Sequence, residues 1–260
     1  MTGRVHHISS RENAFLKDLR RLAQQTNAYR KQGQFWVEGD HLCRAALARG
    51  VQAVVGVFSE SFWQSASAKE AWAGSAHKTV VIADALFADI STLESPAPMG
   101  FVFNLPESSA LLPDVATVVL DRVQDAGNVG SILRSAAAFG FKQVIALQGT
   151  AALWSPKVLR AGMGAHWGLY LLEGVALPDL AALTVPLVVT SSHAGSFLHV
   201  QTLPYPCAWV LGHEGQGVSP ELESMAQAKV RIMQPGGEES LNVAAAAAIC
   251  FHASAEQQQR

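Results

Sequence analysis

The second part of the chain, from residue 117 onward, alternates short apolar runs with segments that have helical spacing. Such alternation predicts an α/β domain whose mostly parallel strands are joined by helices on both faces of the sheet. The predicted strands are 117–120, 143–147, 168–172, 187–191, 208–211 and 229–233, and the predicted helices are 128–139, 155–165, 177–183, 220–226 and 241–256. Because ligands of such sheets bind beyond the carboxyl ends of the strands, a site is expected in the loops that follow them.

The first hundred residues have a weaker version of this pattern, which predicts a small, separate α/β domain over residues 1–103. The capping-box spacing of Ser9 and Glu12 predicts a helix that begins near Ser10. The other predicted helices are 40–49, 61–72 and 84–90, and the predicted strands are 51–58, 79–83 and 100–105. Residues 104–116 contain two prolines and two serines without periodicity, which predicts a linker before a second domain over residues 117–260.

Positive charge is concentrated near the start of the chain, although the net charge is −2. The first 50 residues carry nine Lys and Arg against four Asp and Glu. Lys17, Arg20 and Arg21 fall on one face of a predicted helix. This asymmetry favours either a local anionic partner such as a nucleic acid or an ordinary solvated helix face, and charge alone leaves both open.

The composition excludes several classes of protein. With 49% hydrophobic and 15% charged residues, the chain is expected to be globular rather than disordered. The longest apolar stretch near the end, 243–251, is far shorter than the roughly 20 residues of a membrane span, and the N-terminus has no apolar signal region. Cys43, Cys207 and Cys250 have no metal-like spacing, and the histidines form no metal set, which predicts a cytoplasmic protein without a metal.

The segment 121–140, D-R-V-Q-D-A-G-N-V-G-S-I-L-R-S-A-A-A-F-G, is the first of three polar segments at predicted strand ends. Asn128 is placed to cap the helix that follows the strand. Arg134 lies among apolar helix residues, and a buried Arg is usually paired. Either Asp121 or Asp125 forms a structural salt bridge with it, or Arg134 contacts a phosphate or a substrate.

The second segment, L-G-H-E-G-Q-G-V-S-P-E-L at 211–222, is a glycine-rich turn, and the third surrounds a Pro-Gly-Gly loop before an Ala-rich helix. The spacing G-x-x-G-x-G is not the dinucleotide fingerprint, but backbone amides of such a turn can hold an adenosine. Glu214 lies between the glycines and faces whatever fills the turn. Ser240 and Asn242 lie at the start of the last helix, where they either simply cap it or bind a ligand.

Taken together, these segments resemble the signature motifs of the SpoU (TrmH-like) RNA methyltransferases. The matching stretches are N-V-G-S-I-L-R at 128–134, S-P-K-V-L-R-A-G-M-G-A at 155–165, L-G-H-E-G-Q-G at 211–217 and E-S-L-N-V-A at 239–244. The N-terminal stretches I-S-S-R-E-N at 8–13, F-W-V-E-G at 35–39 and L-F-A-D-I-S-T-L-E-S-P at 86–96 resemble the RNA-substrate-binding domain of that family more weakly.

The resemblance implies a trefoil knot in the second domain, S-adenosylmethionine as the cofactor, 2′-O-ribose methylation of rRNA or tRNA, and a homodimer with both subunits at the site. The implied cofactor-binding residues are Ser191, Leu211, Gly212, Gly215, Ile232, Met233 and Leu241. The implied catalytic residues are Asn128, Arg134, Glu214, Ser240 and Asn242. The expected RNA-binding residues are Arg11, Lys17, Arg20, Arg21 and Arg30.

The chain departs from the family pattern at three places: the family often has Ser at Gly162, usually has Asn at His213, and usually has Pro-Met at Met233-Gln234. Two other functions compete with a methyltransferase. One is a nicotinamide-dependent enzyme, against which the missing G-x-G-x-x-G argues. The other is an RNA-binding protein that kept the fold without catalysis, against which the intact Arg134 and Asn242 argue.

Overall fold

The computed structural model describes residues 5–107, 110–191, 194–236 and 240–259, which divide into two compact units. The first unit comprises the described residues up to Glu107 together with Trp154–Arg160, and the second comprises the rest. Within the predicted linker, Asn104 ends a strand, whereas the backbone N–H of Leu112 donates to Gln143 of the second unit. Ser108 and Ser109 lie outside the described residues, so the domain limits at 103 and 117 stay predictions.

The first unit is built on a five-stranded sheet with the strand order β1-β4-β3-β5-β2. Strands β1, β3 and β4 are parallel, and β5 pairs antiparallel with both β3 and β2. The strands are β1 (Val5–Ile8), β2 (Gln34–Glu38), β3 (Ala53–Ser59), β4 (Ala76–Ile82) and β5 (Met99–Asn104). The helices are α1 (Ala14–Gln24), α2 (Ala28–Gln32), α3 (Asp40–Leu47), α4 (Glu60–Gln64), α5 (Ala66–Trp72) and α6 (Asp84–Ala88).

Helix α1 begins later than the sequence predicts. Asn13 caps it by accepting a hydrogen bond from the N–H of Phe15 at 2.9 Å, whereas Ser10 Oγ accepts from the N–H of Glu12 in a local turn before the helix. The predicted capping box at Ser9 was therefore wrong. Before this helix, His6 and His7 pair with β4 as part of β1.

The second unit contains a seven-stranded, all-parallel sheet with the order β10-β12-β9-β11-β6-β7-β8. Its strands are β6 (Thr117–Leu120), β7 (Gln143–Leu147), β8 (Tyr170–Val175), β9 (Leu187–Thr190), β10 (Ser196–Phe197), β11 (Ala208–Leu211) and β12 (Ala228–Arg231). Its helices are α7 (Ala126–Ala138), α8 (Pro156–Gly162), which is shared with the first unit, α9 (Pro220–Met225) and α10 (Val243–Gln257), with short 3₁₀ turns at Ala165–Gly168, Leu177–Ala182 and Leu198–Val200. The predicted pair of α/β domains, the second with a parallel sheet, is confirmed, and the knot stays a prediction.

The central strands of this sheet are buried along their whole length because helices and loops cover both faces. All four residues of β6 and of β11 are buried, and Val119, Val189 and Val210 lie together in one core cluster. This core fixes where the strands end. The ends of β6, β9, β11 and β12 therefore present their following loops at one edge of the sheet.

Two helices that border this edge have polar side chains as caps. Asp125, rather than the predicted Asn128, caps α7 by accepting from the N–H of Asn128 at 2.8 Å. Asn242 caps α10 by accepting from the N–H groups of Ala244 and Ala245. Asn128 is thus inside the first turn of α7, and its side chain is available for other contacts.

Candidate active site

A cleft of about 530 Å³ lies beyond the carboxyl ends of three neighbouring strands of the second unit. Its lining includes Thr190 and Ser191 after β9, residues 212–218 after β11, Ile232 and Gln234 after β12, and residues 240–243 at the start of α10. This is the edge at which parallel sheets bind ligands, and the volume falls within the roughly 300–1,000 Å³ of small-molecule sites.

The glycine-rich turn after β11 is closed on itself. His213 and Gly217 exchange two backbone hydrogen bonds of 3.0 and 2.8 Å, and Gly217 has a φ of 72°. A Cβ atom on Gly212 would overlap the backbone of Gly217 and Val218. Only glycine therefore permits this closed turn (residues 212–217), which we call the cofactor turn because the family resemblance predicts that it binds the cofactor.

Glu214 ties the cofactor turn to the loop before α7. Its carboxylate accepts hydrogen bonds from the backbone N–H groups of Asp125 at 3.0 Å and Gln124 at 3.1 Å. Burial by itself raises the pKa of Glu214, but these N–H donors outweigh it, so the pKa lies below its ordinary value. The carboxylate is therefore ionised at neutral pH and acts as a fixed acceptor.

Asn128 links the three polar segments. Its amide nitrogen donates to Glu214 Oε1 at 3.2 Å, and its amide oxygen accepts from the amide nitrogen of Asn242 at 2.9 Å. Since Glu214 can only accept and the Oδ1 atom of Asn242 caps α10, these partners fix the orientation of both amides. The chain of hydrogen bonds from Glu214 through Asn128 to Asn242 forms one wall beside the cleft.

Asp121 and Arg122 hold the other side of the cofactor turn. Arg122 makes two hydrogen bonds to Asp121, at 2.9 and 3.2 Å, and one to Gln216 at 3.0 Å, while Asp121 also accepts from the N–H of Ser219 at 2.7 Å. Burial raises the pKa of Asp121, but Arg122 and Ser219 lower it below its ordinary value. Sequence reasoning missed this role for Arg122, whose left-handed φ of 58° has no sequence signal in a non-glycine residue.

Arg134 lies outside this network. It shares an exposed face of α7 with Gly127, Ser131 and Ala138, and within the described ranges it makes no hydrogen bond or ion pair. The alternative of a structural salt bridge with Asp121 or Asp125 is wrong, since Asp121 binds Arg122 and Asp125 caps α7. An exposed guanidinium with unused donors is suited to an anionic group brought by a substrate.

Comparison with known proteins shows the family to which the chain belongs. Residues 116–252, more than half of the chain, match the model of the SpoU rRNA Methylase family. The chain belongs to the SpoU family. Residues 13–99 match the MRM3-like substrate binding domain, so the first unit is a substrate-binding domain. The predicted membership of this family is confirmed. The prediction that the protein is an RNA methyltransferase is confirmed with it.

Relatives of similar length cover nearly the whole chain. A tRNA/rRNA methyltransferase of Synechocystis, itself uncharacterised, is 31% identical and covers 99% of this chain and 96% of its own. The 23S rRNA (guanosine(2553)-2′-O)-methyltransferase RlmP of Bacillus subtilis is 28% identical over 95% of this chain and 98% of its own. The AdoMet-bound rRNA methyltransferase of Sinorhizobium meliloti superimposes with a TM-score of 0.82, at 27% identity, over 99% of this chain and 100% of its own.

The cleft brings most of the predicted cofactor-binding residues together. Ser191, Gly212, Gly215, Ile232 and Leu241 line it, as do the predicted catalytic residues Glu214, Ser240 and Asn242. Two of the predicted cofactor-binding residues do not line it: Leu211 is buried within β11, and Met233 is half exposed. The predicted catalytic residues Asn128 and Arg134 do not line it either. Glu239 of the last motif lies outside the described residues. The binding and catalytic roles of all these residues stay predictions.

The lining of the cleft fits the cofactor of the family. The lining includes the acidic side chains of Glu214 and Glu223, which suit a ligand that carries a sulfonium and an ammonium group. The Oε1 atom of Gln234 is buried with no hydrogen-bond partner in the described part of the chain. A buried acceptor of this kind is expected to meet a donor, such as an amino group of the ligand.

The Gly162 departure has a packing cause. A Cβ atom on Gly162 would lie 2.7 Å from Cε1 of His166, which leaves no room for the serine often found in the family. The His166 ring is buried, with Nε2 2.9 Å from the carbonyl oxygen of Leu153. Burial lowers the pKa of His166 to about 4, so the ring is neutral at physiological pH. This departure therefore concerns packing and not the chemistry of the cleft.

The predicted RNA-binding cations of the first unit are largely paired. Arg11 forms an ion pair with Asp89 at 2.7 Å, Lys17 with Glu12 at 2.6 Å, and Arg21 with Asp18 at 2.9 Å. Arg20 donates to the carbonyl of Arg11, and Arg30 donates to the hydroxyl of Tyr29. Such solvent-exposed pairs are weak, so a phosphate can replace the acidic partner at small cost.

Other kinds of site have little support. The described residues contain no cluster of three or more His, Cys, Asp or Glu that could hold a metal ion. Among the same residues, no helix is long and apolar enough to cross a bilayer. Cys43, Cys207 and Cys250 are buried free thiols, and burial raises the pKa of each. A thiol in this state is a poor nucleophile.

Proposed function

We propose that this protein transfers the methyl group of S-adenosylmethionine to a ribose 2′-hydroxyl of a structured RNA, either rRNA or tRNA. The observation that carries the proposal is the hydrogen-bonded chain Glu214–Asn128–Asn242 beside a cleft at the strand ends. Family membership and the 2′-O-methyltransferases among the relatives support it. We also propose that it acts in the cytoplasm, a reducing compartment in which the buried thiols of Cys43, Cys207 and Cys250 stay free.

The cofactor turn and the last helix start are proposed to hold S-adenosylmethionine, which supplies an electrophilic methyl group when bound. Backbone groups of Gly212, Ile232 and Leu241 would contact it. The ribose oxygen must then lie in line with that methyl group and give up its proton as the bond forms. Asn128, Glu214 and Asn242 form a rigid wall against which the sugar can be oriented.

Arg134 is proposed to activate the ribose without acting as a base. A guanidinium has a pKa above about 12 and cannot accept a proton at neutral pH. It can instead bind a phosphate of the RNA and stabilise the negative charge that develops on the ribose oxygen. Ser240, exposed at the mouth of the cleft, is a further polar group beside the reacting centre.

The competing function, an RNA-binding protein without catalysis, is separated from this one by two measurements on the full chain. Isothermal titration with S-adenosylmethionine should show one cofactor per chain. Mapping of 2′-O-methyl sites in RNA from a strain that lacks the gene should reveal one site that is lost. A protein that binds RNA but neither binds the cofactor nor modifies a site would contradict the proposal.

Phosphate contacts through α1 are proposed to supply much of the RNA affinity. Changing Lys17, Arg20 and Arg21 together to alanine should weaken RNA binding and reduce the slope of log affinity against log salt by up to about 2, because each phosphate contact contributes about 0.7. Filter binding at several salt concentrations measures both. Lys69→Ala, which removes another exposed cation of the first unit, is the control and should leave the slope unchanged. An unchanged slope in the triple variant would remove this surface from RNA binding.

A homodimer is proposed through the second unit. Ala245, Ile249, His252 and Glu256 follow one another on an exposed face of α10, and Ile249 is 41% exposed. Although Phe251 is another large apolar side chain of this helix, it is buried against Phe141 and is not free for a partner. A second copy of the chain is proposed to cover this exposed face of α10. The site would then be built from two chains, as the family resemblance implies.

Light scattering tests this assembly. We expect a mass of about twice 27.7 kDa for the wild type and of one chain for Ile249→Glu, because a buried charge without a partner disrupts an interface. Val200→Glu is the control, since Val200 is 70% exposed on another part of the same unit. A wild-type mass of one chain at micromolar concentration would refute the dimer.

A further inference from the structure

The side chain of His213 closes the tip of the cofactor turn. Its Nδ1 atom lies 2.9 Å from the backbone nitrogen of Gly215 and 3.2 Å from that of Gln216, and both N–H groups donate to it. A ring nitrogen accepts a hydrogen bond only when it carries no proton. The turn as folded therefore requires a neutral imidazole with its proton on Nε2.

An imidazolium cannot hold the turn in this shape. A proton on Nδ1 would face the two N–H donors of Gly215 and Gln216, so two hydrogen bonds would be replaced by repulsion. The main-chain bonds between His213 and Gly217 close the base of the turn but do not reach its tip. His213, Gly215 and Gln216 all line the cleft, so the shape of the tip bears directly on the bound ligand.

We propose that neutral His213 is a positioning residue that keeps the cofactor turn in its binding shape, and that protonation of His213 releases the turn and weakens cofactor binding. This inference rests on the proposed function, because it assigns S-adenosylmethionine to the cleft. It also explains the departure at this position: the imidazole nitrogen does what an asparagine carbonyl does in an Asx turn, by accepting from N–H groups two and three residues onward.

The charged groups around the turn each have partners of their own. The carboxylate of Glu214 is held by the N–H groups of Gln124 and Asp125. From α9, Glu223 faces the cleft and is ion-paired with Lys229 of β12 at 2.8 Å. After β6, Asp121 and Arg122 bind each other. The acidic groups are thus engaged elsewhere, and the direct contacts of Nδ1 are the two N–H donors of Gly215 and Gln216.

The sign of the pH dependence follows from this contact. Affinity for the cofactor is complete where the imidazole is neutral and is lost where it gains a proton, so the affinity falls as the pH is lowered. Isothermal titration of the full chain with S-adenosylmethionine, from about pH 8 to about pH 5.5, should show the dissociation constant rising towards tenfold per pH unit at the acidic end.

Two variants separate this role from other titrating groups. His213→Asn keeps an acceptor at every pH, so its dissociation constant should stay near the wild-type value at pH 8 and remain flat on acidification. His213→Ala removes the acceptor, so it should bind weakly at all pH values. A wild-type affinity that does not change with pH, or a His213→Asn variant that keeps the wild-type pH dependence, would overturn the inference.

A ligand-free readout makes the inference independent of the cofactor. The backbone amide resonance of Gly215, followed by NMR in the protein alone, should shift in one titration step that is absent from His213→Asn. If the Gly215 resonance shows no titration step, the inference is overturned, even if the cofactor binds. Failure of the wild type to bind S-adenosylmethionine at pH 8 would instead contradict the proposed function, and the Gly215 titration would then decide the role of His213 alone.

Discussion

Replacing Arg134 with alanine should lower the rate of methyl transfer by about 10²–10³-fold while the affinity for S-adenosylmethionine stays at its wild-type value. The reason is the position of the side chain: Arg134 lies on an exposed face of α7 and does not line the cofactor cleft. Its donors are therefore available to the RNA and to charge that develops during transfer. Single-turnover kinetics with saturating cofactor, together with isothermal titration, measure the two effects separately.

Two further variants sharpen this test. Arg134→Lys keeps the charge but loses the planar fork of donors, so it should recover only part of the rate. Lys142→Ala removes an exposed cation from the same unit and should behave as the wild type. Near-wild-type turnover of Arg134→Ala would remove Arg134 from the mechanism, and a parallel loss of cofactor affinity would place it in the cofactor site instead.

Gly212→Ala is expected to abolish detectable cofactor binding, a loss of about 100-fold or more. The added Cβ would overlap the backbone of Gly217 and Val218, so the cofactor turn could not close. Overlap with backbone cannot be relieved by a change of side-chain rotamer, which makes the effect larger than that of an ordinary overpacking substitution. Isothermal titration measures the binding, and circular dichroism shows whether the sheet has formed.

Gly215→Ala is the matched comparison within the same turn. There the nearest heavy atoms to an added Cβ are those of the His213 ring, at 3.7 and 3.8 Å, which is ordinary contact. The loss should be much smaller than for Gly212→Ala. If Gly212→Ala does not fold, Glu214→Gln provides a second test, because it weakens the link to Asp125 and Gln124 without adding bulk. Full cofactor affinity in a folded Gly212→Ala protein would show that the turn is not the cofactor site.

Much of the second unit follows from its sequence because its strands are short, buried apolar runs. Thr117–Leu120, Gln143–Leu147 and Ala208–Leu211 have the predicted bounds, since each run is flanked by polar or turn-forming residues. In contrast, β1 and β2 were missed. The sequence of β1, V-H-H-I, has two polar residues, and the pairing of β2 with β5 brings together segments far apart in the chain.

The sequence predicted residues of the site but not the hydrogen bonds that join them. Asn128, Glu214 and Asn242 were chosen from motifs, and the structure places them in one hydrogen-bonded chain. No local pattern shows that Asp121 receives the N–H of Ser219, because 98 residues separate them. The acceptor role of His213 was also hidden, since it depends on the conformation of the turn rather than on residue type.

Transfer of a labelled methyl group tests directly whether the protein methylates a ribose 2′-hydroxyl of RNA. Purified protein should be incubated with S-adenosylmethionine labelled in its methyl group and with total RNA from a strain that lacks the gene, with Arg134→Ala as the control. After complete digestion of the RNA to nucleosides, we expect label in a single 2′-O-methylnucleoside for the wild type and almost none for the variant. Label in a base-methylated nucleoside, or no transfer by a wild-type protein that binds the cofactor, would contradict it.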